Sequence, residues 1–311
     1  MRTITKTMRI PDCLTAACFL LGGTLGWAAE VAPPLPAARI AAAERGEADA
    51  QYQVARAYLR GEGVPKDVNK AFALMKAAAE HGNADAIGGL GYFYSVGVAV
   101  PKDAKLALEW FRKGAEKGSA KARLNLGKYL LEGKGGEQGV EPEKLREEGL
   151  EWIKKAANQN LPQAALSYGE ILYFGDHGVE KDDAGAARYF QIAAVAGLAN
   201  AQNFLGVMSE TGMGCSLDKA VAEHWFRKAA LQGHVKAQGN LGRILWQEHS
   251  GSRQVRIESL AWLLMASDGD IVARKLLEEY SLRLKEGEME AAKTKVLELR
   301  TQIHQSGLLG L

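Results

Sequence analysis

Residues 82–118 read GNADAIGGLGYFYSVGVAVPKDAKLALEWFRKGAEKG, and the rest of the chain is built from variations on this stretch. Ala86 and Leu90 stand four apart, which puts them on one helical face, and Gly91 beside them lets a neighbouring helix approach closely. Gly97 can take the left-handed backbone that stops a helix, and Asp103 at the end of VAVPKD is placed to cap the next one. Ala107, Trp110, Phe111 and Ala115 then repeat at helical spacing as a second apolar stripe, closed by Gly118. The stretch predicts a helix A, a tight turn and a helix B.

Working outward, Gly46, Gly82, Gly118, Asn160, Gly197, Gly233 and Gly269 mark boundaries separated by 36, 36, 42, 37, 36 and 36 residues. Four residues after each of the first six stands an alanine, from Ala50 and Ala86 to Ala237. A large residue follows four further on and a small one next to it, as in Leu126–Gly127 and Leu205–Gly206. Turns equivalent to VAVPKD recur as GEGVPKD at 61–67, HGVEKD at 177–182 and MGCSLD at 213–218. A helical hairpin of this size cannot cover both of its apolar faces, so it must stack on the next one. The expected fold is therefore all-α, an α-solenoid of about six helix-turn-helix repeats over residues 46–269. Residues 37–45 read as an N-terminal half-repeat, because Ala42, Ala43 and Gly46 reproduce the end of a helix B. Residues 270–311 read as capping helices, the second with a narrow stripe of Met289, Ala292, Val296, Leu299 and Ile303.

The helix-A alanine, the leucine-glycine pair, the glycine-valine turn ending in aspartate and the W-x-x-x-A-A ending together resemble the Sel1-like repeat family, relatives of tetratricopeptide repeats. The resemblance runs from about Ala42 to Gly269. It departs in the third unit, which carries an insertion around Gly135–Gly139, and in the sixth, where Ser250–Arg256 replaces the glycine-valine turn. The resemblance implies adaptor or scaffold work, including exported bacterial members that bind envelope, regulatory or host proteins. Some exported members resemble β-lactam-binding hydrolases, but the cysteine pairs that bridge each of their hairpins are absent here.

The N-terminus has its own logic. Arg2, Lys6 and Arg9 precede an apolar run at 14–27, LTAACFLLGGTLGW, followed by small residues at Gly26, Ala28 and Ala29. That order is a secretory signal peptide, expected over residues 1–28, and the run falls short of the ~20 residues a spanning helix needs. Residues 29–36, with Pro33, Pro34 and Pro36, read as a proline-rich linker. A cleaved chain would be periplasmic or secreted, with no membrane span and with Cys215 as its single thiol. Burial is the expected role of Cys215, because Val64, Val100 and Val179 stand at the equivalent turn positions.

Composition restricts the functions further. Glycine is in excess, at 35 of 311 residues, as a chain with many repeated helix ends requires. The net charge of +2 resides entirely in the leader, which leaves 36 basic and 36 acidic residues in the body and disfavours a nucleic-acid binder. No His or Cys spacing suits a metal, there is no phosphate loop or nucleophile elbow, and the glycines of GLGYFYSVG at 89–97 fall inside helix A. No cofactor and no catalytic group is expected.

Positions two, six and nine after the repeat alanine should line the inner curve if the hairpins stack as related solenoids do. They select Tyr52, Arg56, Tyr92, Lys128, Glu170, Tyr173, Arg243 and Trp246 as candidate partner-binding residues. Tyr, Trp and Arg are the side chains that dominate protein interfaces. Trp110, Trp152 and Trp225, on helices B, are expected in the core. The leading expectation is a non-enzymatic scaffold that takes a protein or peptide in this groove. An envelope element that binds polysaccharide or peptidoglycan is the alternative, and an enzyme of the repeat family is third.

Overall fold

The computed structural model describes residues 34–134 and 141–309. The leader, most of the linker and the insertion in the third unit lie outside the described residues. The helices between residues 37 and 266 follow the repeat. A short α1 (Ala37–Glu44) leads into six hairpins. These are α2 (Ala48–Arg60) with α3 (Val68–Glu80), α4 (Ala84–Val96) with α5 (Ala104–Glu116), and α6 (Ala120–Leu131) with α7 (Pro142–Ala157). They continue with α8 (Pro162–Phe174) and α9 (Asp183–Val195), α10 (Ala199–Thr211) and α11 (Lys219–Ala230), and α12 (Val235–His249) and α13 (Arg253–Ala266). Two further helices, α14 (Ile271–Ser281) and α15 (Glu288–Leu309), close the array, and no strand occurs among the described residues. Each helix A packs on its own helix B and on the helix B before it.

The repeated residues account for these contacts. Ala86, Ala122, Ala164, Ala201 and Ala237 are essentially without exposure, because each sits where two hairpins meet. The small residue after the large one faces the aromatic or aliphatic plug of helix B. A Cβ on Gly91 would fall 2.6 Å from a ring carbon of Phe111, and one on Gly169 would fall 2.8 Å from Phe190. Only a glycine lets the two helices approach this closely.

The turns behave as their chemistry predicts. Gly97 ends α4 with φ 79°, and the Asp103 carboxylate accepts from the backbone N–H groups of Lys105 and Leu106 at 2.9 Å. Asp67, Asp182 and Asp218 cap their helices in the same way. In the sixth unit Ser252 occupies the cap position without a side-chain bond, the local consequence of the replaced turn.

A second polar device was not visible in the sequence. The side chains of Gln51, Gln202 and Gln238, one residue after the repeat alanine, each donate to a carbonyl eight residues earlier, those of Ala43, Ala194 and Ala230. Arg123 does the same to Ala115. These bonds cap the last turn of one helix B from the next helix A. They also chain onward, since His81 Nδ1 lies 2.8 Å from Gln51 Oε1 and Gln232 donates to Gln202.

Two expectations about the core need correction. Trp110, Trp152 and Trp225 are half-buried, because Phe111, Ile153 and Phe226 beside them take the interior slot. Each indole is covered on its outer side by a lysine three residues on, with Lys113, Lys155 and Lys228 Nζ at 4.7, 4.6 and 5.0 Å from the rings. Among the described residues the fully buried tryptophan is Trp262, on α13. Cys215 is half-buried like Val64, Val100 and Val179, with Sγ 3.9 Å from Ser209 Oγ.

Candidate functional site

Helices A present their N-terminal and central turns along one side of the array. At the front, α2, α4 and α6 together frame a groove of about 820 Å³. Tyr52 and Arg56 come from α2, Tyr92 from α4, and Lys121 and Leu124 from α6, so three of the expected residues share one concavity. The reason is periodic. Residues two and six after the repeat alanine lie on the turn that faces away from helix B, and stacking brings three such turns side by side.

The groove has an ordered polar wall. Lys121 Nζ lies 2.6 Å from Asp85 Oδ2 and donates to Tyr52 Oη at 3.1 Å, while Ser119 Oγ donates to Asp85 Oδ1 at 2.5 Å. Burial works to raise the Asp85 pKa, but the hydrogen bonds from Lys121 and Ser119 outweigh it and hold the carboxyl below its ordinary range. Burial likewise opposes the Lys121 charge, and its bonds to Asp85 and Tyr52 outweigh that and raise its pKa. Tyr52 is thereby fixed and 7% exposed, whereas Tyr92, at 42%, offers its ring to solvent. The Arg56 guanidinium stands 5.7 Å from the Tyr52 ring centre and has no carboxylate partner among the described residues. Its polar partner is Gln53 Oε1 at 3.5 Å, and it lines the groove together with Tyr52 and Tyr92.

Further along, Lys128 on α6 is exposed and Glu170 on α8 is half-buried. Glu170 makes no hydrogen bond or ion pair among the described residues. Burial pushes its pKa up, and the charge of Lys128 offsets only part of that. Tyr173 joins an aromatic group, with ring centres 5.0 Å from Phe174 and 5.3 Å from Phe204. Phe174, 57% exposed and ten residues after Ala164, escaped the sequence pattern, which stopped at position nine.

At the far end the expected anchors are already engaged. Arg243 forms a two-pronged pair with Glu210, both bonds at 2.6 Å. Trp246 is a correction to the sequence reading. It is 7% exposed and stacks on Tyr280, because α14 lies where a seventh helix A would stand and covers the position that was expected to be open. Asp85 and Lys121, the strongest polar pair of the front groove, were missed. Both stand one residue before the repeat alanine, and their opposite charges 36 positions apart were the available signal.

Among the described residues no group of His, Cys, Asp or Glu is arranged to hold a metal ion, and no helix is long and apolar enough to cross a membrane. The geometry offers an open, mixed aromatic and cationic surface on a rigid frame.

Comparison with known proteins fits this architecture. The Sel1 repeat profile matches residues 48–83, 84–119, 120–161, 162–198, 199–234 and 235–270. The crystal structure of a Sel1 repeat protein from Oxalobacter formigenes is similar, with a TM-score of 0.60 and 30% identity, over 73% of this chain and 89% of that one. An exopolysaccharide production negative regulator from Rhizobium meliloti (strain 1021) is 36% identical over 75 residues, which is 24% of this chain and 28% of that protein's length. With six matched units across residues 48–270, the chain belongs to the Sel1 repeat family, whose members are typically protein-interaction scaffolds.

Proposed function

We propose that the protein is an exported interaction scaffold that takes a protein or peptide segment in the groove framed by α2, α4 and α6. The observation that carries this reading is the grouping of Arg56, Tyr92 and the Tyr52–Lys121–Asp85 triad on one concave wall. Tyr92 supplies apolar area at low entropic cost, Arg56 a planar cation without a carboxylate partner among the described residues, and the triad a rigid frame that needs no rearrangement on binding. A partner segment with an acidic residue beside an apolar one fits these features.

Affinity measurements with the partner test the assignment. Arg56→Ala and Tyr92→Ala should each weaken binding by ~1 to 4 kcal/mol if they are anchors, with the melting temperature nearly unchanged. Unaltered affinity in the double variant would refute it. Export is tested separately, by fusing residues 1–32 to a reporter that is active only outside the cytoplasm. An active fusion and a mature chain beginning near Ala29 are expected, and an intact Met1 on exported protein would refute cleavage.

The name of the Rhizobium relative motivates a second reading, a role at envelope polysaccharide. The exposed rings of Tyr92 and Phe174 are suited to stack on sugar faces. Purified envelope polysaccharide and peptidoglycan fragments, titrated against the intact chain, separate the two readings.

A further inference from the structure

The helices B stack on the side of the array away from the groove, and their seams are not alike. Between α5 and α7, Arg112 pairs with Glu148 at 3.2 Å, and the same carboxylate accepts from Trp152 Nε1 at 3.1 Å. Between α11 and α13, Arg227 pairs with Glu258 at 2.5 Å, and Trp262 Nε1 donates to that carboxylate at 3.3 Å. Each of these seams is closed by a cation, an acid and an indole.

The α3–α5 seam lacks the closure. Lys76 stands where Arg112 does one unit later, but Leu106 occupies the register of Glu148, four residues before the tryptophan. The Trp110 indole N–H consequently has no acceptor among the described residues. One residue after the repeat alanine, where four units place a bridging Gln or Arg, this unit has Ile87. Both substitutions replace polar seam residues with aliphatic ones, and Ile87 lines a cleft of about 410 Å³. Its floor is apolar, built from Phe72, Ile87, Leu90 and Val100, and Trp110 forms one wall.

The rim carries charge of one sign in excess. Lys113 and Lys117 border the cleft without an acidic partner among the described residues, and Lys76 has only an exposed, 3.9 Å contact with Glu80. An apolar trough of this volume is within the range of small-molecule sites, and two ammonium groups at its edge, Lys117 and the Lys113 that lies over the Trp110 ring, neither with an acidic partner among the described residues, call for an anionic head.

We propose that the α3–α5 cleft binds a free acyl carboxylate, with the hydrocarbon chain on the Phe72–Ile87–Val100 floor and the carboxylate held by Lys113 and Lys117. The hydrocarbon chain then lies against Ile87, where four other units place a bridging Gln or Arg.

Dodecanoate, titrated below its micelle concentration into the full chain and followed by calorimetry and tryptophan fluorescence, tests this. Saturable binding of one dodecanoate per chain is expected, with dodecanol about tenfold weaker because it lacks the charge that strengthens hydrogen bonds to lysine. Ile87→Gln, which restores the residue type of the other units, and the exposed pair Lys113→Glu with Lys117→Glu should each lower affinity about tenfold or more, while the melting temperature holds. Arg56→Ala with Tyr92→Ala should leave dodecanoate binding unchanged, so failure of the groove assignment and failure of this one are distinguishable. Non-saturating uptake, equal binding of dodecanol, or full affinity in both sets of cleft variants would overturn the proposal.

Discussion

Trp246 of α12 lies flat on Tyr280 of α14, with ring centres 4.4 Å apart and planes 6° from parallel. The contact seals the C-terminal end of the array, since both residues are buried among Leu260, Leu263 and Ala273. Trp246→Ala should therefore act on stability, at ~3 to 5 kcal/mol through the cavity it leaves. Denaturant unfolding measures this directly, and a partner affinity that falls no further than the folded fraction does would show the effect to be structural.

The packing of hairpin on hairpin makes a separate demand. Ala86 has no exposure, and its neighbours leave no room for a longer side chain. Ala86→Leu should overpack that contact and cost roughly 1 to 3 kcal/mol. An unchanged melting curve would mean that the repeat register is wrongly drawn.

Glu170 should destabilise the fold when ionised. Burial raises its pKa above the unfolded value, so the protonated form is favoured in the native state and stability is lost as pH rises through the native pKa. Glu170→Gln should raise the melting temperature at neutral pH, and the gain should vanish below the ordinary carboxylate range. A gain that persists in acid would point to packing instead of charge.

The terminal helix carries the opposite sign. Glu288 is fully buried, accepts from Arg256 at 2.6 and 3.3 Å and from the backbone N–H of Lys285, and is held below its ordinary pKa chiefly by the Arg256 bond. Its contribution is present above the unfolded carboxylate pKa and is lost as pH falls through the lowered native one. Protection of α15 amides against hydrogen exchange, relative to the intrinsic rate at each pH, should fall in acid before that of the central repeats. Glu288→Gln should show that lowered protection already at neutral pH.

The repeat was legible because each hairpin solves the same packing problem. Ala86, Gly91 and Asp103 recur as residue types wherever a helix crossing, a close approach or a cap recurs. The groove was half legible, since helical periodicity places Tyr52, Arg56 and Tyr92 on one side without any knowledge of neighbours. Trp246 was misread because periodicity counts units but does not say that a capping helix covers the last one. The Asp85–Lys121 pair and the Ile87 cleft stayed hidden for a related reason, as both arise between units and depend on which residue the next hairpin brings to the same place. The half-burial of Trp110, Trp152 and Trp225 depends on how far one helix B covers the next, which a single helical stripe does not encode.

The central claim is that partners bind on the concave wall at α2, α4 and α6, and site-specific photo-crosslinking in the producing cells tests it most directly. A photoreactive phenylalanine analogue would replace Tyr92 in one strain and Trp225, on the opposite side, in another. The account predicts a discrete, heavier adduct from position 92 that is lost with Arg56→Ala, and none from position 225. Adducts from position 225 alone would contradict it and move the binding surface to the helix-B side.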